Sequence, residues 1–213
     1  MFHVKRDGDA ARQPLPPPPD LTPDKAARLD TFLDLLLRWN ARINLVAERD
    51  AEAIRIRHIA DSLQLAPLIP RGTGPIADLG SGAGFPGLVL AIATGRETHL
   101  IESDRRKAAF LTEAAARLGL SHVRVHPTRI ENAALPPLAA ITARALAPLI
   151  VLLPHAAKFL APGGVAIFPK GRTAEAELTD ALPHWHLQVE RFASRTDPSS
   201  TIFRLSELRG PDA

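Results

Sequence analysis

Ten consecutive residues, Asp78-Leu79-Gly80-Ser81-Gly82-Ala83-Gly84-Phe85-Pro86-Gly87, place four glycines between the apolar runs Ile76-Ala77 and Leu88-Val89-Leu90-Ala91-Ile92. Glycine reaches positive φ and has no Cβ, so such a turn lets a ligand lie against bare backbone. Pro86 suits a first helical turn, where its missing N–H costs nothing. The spacing Gly82-x-Gly84-x-x-Gly87 also fits the dinucleotide fingerprint, and it fits equally a turn that only tightens strand–helix packing. Asp78 separates these readings. A carboxylate at that point repels a pyrophosphate and attracts an ammonium or sulfonium. S-adenosylmethionine carries both cations and no phosphate.

Three further positions carry chemistry. Glu102 closes the next expected strand 22 positions after Gly80, the spacing at which an acid accepts hydrogen bonds from both ribose hydroxyls. Each such charge-assisted bond is worth about 1.5–3 kcal/mol, and the competing role of helix cap belongs better to Asp104. Thr128-Arg129-Ile130-Glu131 follows the third strand and offers a carboxylate and backbone amides to an adenine edge, although Glu131 read alone is an ordinary cap or exposed acid. Arg144 ends the fourth strand inside the apolar run Ile141–Leu149, where an arginine must be paired or face a cavity.

These residues need strand ends to position them. Strands are expected at 75–79, 97–102, 122–126, 139–144, 164–169, 184–192 and 201–205, with helices at 104–118, 146–160 and 173–182 between them. The alternation predicts an α/β, doubly wound, Rossmann-like sheet of seven mostly parallel strands. The loop around Asp197-Pro198-Ser199-Ser200 is too short for a crossover helix, so the last strand should run antiparallel. Residues 22–70 read as an N-terminal helical cap. Thr22-Pro23-Asp24 opens a helix that ends near Asn40, and Asp50 caps a second. Residues 1–21, with Pro14 and Pro16–Pro19, read as a disordered or extended tail unable to pair, leaving 71–208 as the catalytic domain.

Composition bounds the possible functions. A chain of 213 residues, 46% hydrophobic, suits one ordinary domain with a small appendage. No apolar run is long enough to cross a membrane and Met1–Arg6 has no signal-peptide core, so a soluble, cytoplasmic monomer is expected. Zero cysteines exclude disulfides, thiolate metal sites and a cysteine nucleophile. Net charge is +3, with 21 Arg against 5 Lys; a nucleic-acid partner and a GC-rich genome both account for that bias. His184 and His186 share a strand face but lack a third ligand, so no metal site is expected.

Taken together, Asp78-x-Gly80-x-Gly82-x-Gly84-x-Pro86-Gly87, Arg57-His58-x-x-Asp61-Ser62, Trp39-Asn40 with Asn44-Leu45, Ile130-Glu131, Thr142-Ala143-Arg144-Ala145 and Lys170-Gly171 resemble the RsmG (GidB) family of small-subunit ribosomal RNA methyltransferases. The resemblance spans about residues 30–205. It implies a class I methyltransferase fold and methylation of N7 of one guanine in 16S ribosomal RNA, with S-adenosylmethionine as cofactor. The implied cofactor contacts are Gly80, Phe85, Ile130, Glu131 and Arg144, beside Asp78, Gly82 and Glu102 from the residue reading. Phe85 stands where the family pattern has leucine, and the Pro-rich segment lies outside the pattern.

The chemistry agrees with N7. Pyrimidine C5 methylation needs a cysteine, and Pro136-Pro137 lies on the wrong side of the fourth strand for the exocyclic-amine pattern. Guanine N7 has a free lone pair and no proton to lose, so positioning suffices. Arg144 and Lys170 are the candidates for that task, donating to guanine O6. In the opposing reading, Arg144 only braces the cofactor. The expected RNA surface comprises Arg57, His58, Arg105, Arg106, Lys107, Arg172 and Arg195; with no tyrosine for stacking, recognition should rest on phosphates and RNA shape, as on a small ribosomal subunit. The rivals are a nicotinamide oxidoreductase, a non-enzymatic ribosome-assembly factor and a small-molecule methyltransferase.

Overall fold

The computed structural model describes residues 12–210. Seven strands form one sheet: β1 (Ile76–Leu79), β2 (Thr98–Ile101), β3 (Val123–His126), β4 (Leu138–Thr142), β5 (Leu160–Lys170), β6 (His186–Ala193) and β7 (Thr201–Arg209). Their order is β3-β2-β1-β4-β5-β7-β6, and β7 alone runs against its neighbours β5 and β6. This is the architecture that strand–helix alternation predicts. β1 lies between β2 and β4, so the chain reverses its winding at the carboxyl end of β1, where open α/β sheets bind ligands.

The helices lie on both faces. In α1 (Pro23–Asn40), Thr22 caps the N-terminus through Lys25 N and Pro23 fills the first turn. Its buried stripe, Leu29, Phe32, Leu33 and Leu36, joins Phe85 and Leu88 of the glycine turn and α4 (Gly87–Thr94), and Phe110 and Leu111 of α5 (Arg105–Arg117), in a single apolar cluster. The N-terminal helices and the sheet therefore share this core. Asn40 closes the next loop: its side chain accepts the amides of Leu45 at 2.8 Å and Val46 at 3.1 Å and donates to Glu48 O at 3.0 Å. Asp50 then caps α2 (Ala51–Ile54), which continues through a π-helical turn at Arg55–Ala60 into α3 (Asp61–Leu63). On the other face, α6 (Leu149–Phe159) and α7 (Ala174–Ala181) pack over β4, β5 and β7. Among the described residues, no helix is long and apolar enough to cross a membrane.

Two expectations change. The helix foreseen from residue 146 begins at Leu149, because Ala145 takes the left-handed region at φ 51° and Pro148 is extended. The Pro-rich segment is not wholly a free tail. Residues 1–11 lie outside the described residues, but Gln13 donates to Arg191 O at 2.7 Å and accepts from Ala193 N at 3.1 Å, a short parallel bridge on the β6 edge. Proline blocks a longer ladder; Gln13, ahead of the prolines, has the free N–H that one bridge needs. Leu15 then buries against Leu65, Leu68, Phe192 and Ile202, and Arg195 Nη2 donates to its carbonyl at 2.7 Å.

Because Leu15 is 5% exposed, Leu15→Ala should cost about 2 kcal/mol, which lowers the midpoint of thermal unfolding by about 4–8 °C in a domain of this size. An unchanged midpoint would return the segment to a free tail.

Candidate active site

The turn after β1 is built by glycine geometry. Gly80 and Gly82 stand at φ 67° and 52°, where other residues are strained. Gly82 N–H donates to Glu102 Oε2 at 2.8 Å, and Asp104 N–H donates to Oε1 at 2.7 Å. Ser81 N–H also donates to Ile101 O at 3.0 Å. The turn is thus tied to the end of β2, and Glu102 is held by one amide on each oxygen while a second lone pair on each stays available.

These residues border a cavity of about 390 Å³ at the carboxyl ends of the strands, lined by Gly80, Gly82, Glu102, Ile130, Glu131 and Arg144 together with Lys107, Leu146 and Leu152. Six of the eight expected cofactor residues meet there. Asp78 and Phe85 do not line it. Asp78 is 1% exposed and points inward: Oδ2 accepts the Gly87 amide at 3.1 Å and Oδ1 accepts the Thr142 hydroxyl at 2.8 Å. Its acidity records that position. Burial raises the pKa to about 6, against the lowering effect of its hydrogen bonds and of the Arg144 charge. Above pH 6 the charged carboxylate therefore costs the free protein stability, and a cation brought nearby would offset that cost. Phe85 is a platform instead of a lining. The His58 ring stacks on it at 4.9 Å, and the Arg144 guanidinium lies 5.4 Å from its centroid.

A second cavity, about 450 Å³, adjoins the first and is lined by Asp61, Arg144, Lys170, Glu177, Ser194 and Ile202. The segment Arg144–Ala147 borders both. Leu146 lies over the glycine turn so closely that a Cβ on Gly80 would come 2.6 Å from its Cδ1. Lys170, a candidate catalytic residue, opens onto this second cavity. Its Nζ donates to Ala147 O at 2.5 Å and pairs with Glu177 at 2.9 Å. Burial pushes the Glu177 carboxyl up, but the bonds from Lys170, Thr173 and the Leu149 amide outweigh it and hold the group low. Arg144 is held through Nη1 by Asp61 Oδ2 and Arg57 O, both at 3.4 Å.

The expected RNA residues divide. Arg57, Arg105, Arg106 and Arg172 are exposed on the cap, the first turn of α5 and the loop after β5. Lys107 is half-buried and lines the first cavity. Arg195 is exposed, but its guanidinium fastens Leu15. His58 is half-buried: its ring is stacked on Phe85, its Nε2 lies 2.8 Å from Glu48, and burial lowers its pKa, so its contacts brace the cap. Sequence reasoning missed Leu146 and Asp61 as cavity walls. The signal for Leu146 was its place two residues past Arg144, at a strand end. A third groove, between α5 and β3, is lined by Thr112, Ala115, Leu120, Ser121 and Val125 and has no ionisable group on its walls.

Comparison with known proteins agrees with this geometry. A family model described as GidB, rRNA small subunit methyltransferase G, matches residues 25–196. A protein named ribosomal RNA small subunit methyltransferase G from Granulibacter bethesdensis is 51% identical over 211 residues, covering 98% of this chain and 99% of its own. One of the same name from Acidiphilium cryptum is 57% identical over 184 residues, covering 85% and 84%. Among solved structures, an O-methyltransferase from Bacillus cereus in complex with SAH aligns with a TM-score of 0.57 and 20% identity over 84% of this chain and 91% of its own, a likeness of fold. With its glycine turn, its acid at the end of β2 and this descent, the chain belongs to the rRNA small subunit methyltransferase G family.

Proposed function

We propose that this protein transfers a methyl group from S-adenosylmethionine to N7 of a guanine in the 16S RNA of the small ribosomal subunit, acting in the cytoplasm as a monomer. The observation that carries the reading is the pair of adjoining cavities divided by Arg144–Ala147, one with a ribose-type acid over bare glycine backbone, the other walled by held charges.

The residues of the first cavity fit the donor. Its volume, about 390 Å³, lies in the range of small-molecule sites. The backbone of Gly80 and Gly82 offers close approach, Glu102 has free lone pairs for a ribose diol, Ile130 and Leu152 supply apolar walls for a purine, and Glu131 stands at its edge. When bound, S-adenosylmethionine supplies a sulfonium methyl group open to displacement. A nicotinamide dinucleotide fits poorly. The α4 amide that would meet its pyrophosphate is already taken by Asp78, whose negative charge opposes a second anion.

N7 of guanine attacks with its own lone pair, so the chain has orientation and dryness to supply and no proton to remove. Arg144 donates to guanine O6, and Lys170, fixed by Glu177 and Ala147 O, adds a second cation on the same wall. Arg57, Arg105, Arg106 and Arg172 form the phosphate-facing surface, with no base readout required of them.

The test is the ribosomal RNA of cells lacking the gene: reduction and aniline cleavage should lose one N7-methylguanine stop, and retention of every stop would overturn the reading. Two variants test the cofactor site by calorimetry. Glu102→Ala should weaken S-adenosylmethionine binding about 100-fold, the loss of two charge-assisted hydrogen bonds partly offset by relaxation. Asp78→Asn should keep the fold and weaken binding about tenfold at pH 7.5. The wild-type affinity should fall as pH drops through about 6, where Asp78 gains its proton, while the Asn variant shows no such fall. A pH-independent wild type would remove Asp78 from cofactor recognition.

A further inference from the structure

The motif Arg57-His58-x-x-Asp61-Ser62 holds one acid that the cofactor site leaves unused. The Asp61 side chain, 16% exposed, forms part of the second cavity wall. Its Oδ1 accepts from Gln64 Nε2 at 2.7 Å and from the Thr196 hydroxyl at 2.6 Å. Gln64 is itself buried, donates to Ser194 Oγ at 3.1 Å and accepts the Arg195 amide at 2.9 Å. Gln64, just past α3, and Thr196, in the loop after β6, thus converge to fix one oxygen of one carboxylate. Among the described residues Oδ2 meets only Arg144 Nη1, at 3.4 Å, long for a charge-assisted bond, and so keeps accepting capacity toward the cavity.

Buried polar groups are expensive to assemble unless fully satisfied, and this cluster spends its bonds on aiming Asp61. Arg144 and Asp61 present a donor and an acceptor side by side. Guanine has the complement on one edge: O6 accepts, and N1–H and the N2 amino group donate. Adenine reverses both neighbouring positions, setting donor against donor and acceptor against acceptor. O6 lies between N1 and N7, so a base held by Arg144 at O6 turns N7 toward the side where Arg144 borders the cofactor cavity. Glu177, the other acid of this cavity, is spent on Lys170, the Leu149 amide and the Thr173 hydroxyl.

Resting on the methyltransferase reading above, the geometry points to Asp61 as the residue that selects guanine, its Oδ2 accepting from N1–H and the N2 amino group while Arg144 donates to O6. The N7 lone pair forms the new bond to the methyl carbon, the carbon–sulfur bond breaks with its pair left on sulfur, and the positive charge moves to the purine. N1–H becomes a stronger donor as that charge develops, so the bond to Asp61 tightens in the transition state.

The experiment measures labelled methyl transfer from S-adenosylmethionine to small subunits from cells lacking the gene, with the acceptor guanine intact or replaced by adenine. Wild type should prefer guanine at least about 1,000-fold, because adenine would leave buried polar groups opposed. Asp61→Asn, whose amide pairs equally with adenine, should slow the guanine reaction about 100-fold and narrow the preference at least tenfold, with S-adenosylmethionine affinity within about threefold of wild type. Asp61→Ser serves the same comparison if the Asn variant does not fold. A slower reaction with unchanged preference would mean that Asp61 merely props Arg144, and would overturn the inference. An unchanged guanine rate would do the same. Absence of transfer by the wild type to guanine subunits would instead overturn the methyltransferase reading on which the inference stands.

Discussion

The Asp78 carboxylate is the joint on which the site hangs. It leaves β1, accepts the Gly87 amide of α4 on one oxygen and the Thr142 hydroxyl of β4 on the other, so three elements meet at one buried charge. The glycine turn is spanned by the first of these bonds, between positions 78 and 87. The second fixes Thr142, two residues before Arg144. Neither the bend that carries the backbone cradle nor the arginine at the head of the second cavity is placed independently of this acid. Burying it raises its pKa to about 6, a penalty that its hydrogen bonds and the Arg144 charge partly offset.

From this joint the rest follows by layers. Glu102 is clamped by the Gly82 and Asp104 amides, so the end of β2 and the start of α5 are set by the same turn. The cap adds its own supports from beneath: Phe32 packs on Phe85 at 5.3 Å, His58 stacks on the same ring, and Arg144 lies over it. An aromatic stack anchored in the shared apolar cluster thus carries a cation at the partition between two cavities. The N-terminal helices are in this sense part of the site, although none of them borders the first cavity.

The sheet was legible in the sequence because its signals are local. Short strand-sized runs, an N-cap at Asp104, a glycine stop at Gly119 and a crossover length between successive strands locate β1 to β5, though not where α6 and β5 begin, without reference to the rest of the chain. The same holds for Gly82 and Glu102, whose separation reflects one strand–turn–helix–strand unit. What sequence could not reveal is side-chain direction. Whether Asp78 faces the ligand or the core depends on how α4 settles against β1, and whether His58 faces solvent or an aromatic ring depends on a π-helical turn with no pattern of its own. Arg195 and Leu15 illustrate the further limit. They meet across 180 positions, and nothing near either residue announces the other.

Ala145 gives the partition a particular mechanical character. It stands at φ 51° between Arg144 and Leu146, a backbone region that costs an L-residue about 1–2 kcal/mol and that glycine would occupy freely. The methyl group narrows the torsional freedom of this segment relative to glycine, and the side chains on either side of it, Arg144 and Leu146, border both chambers.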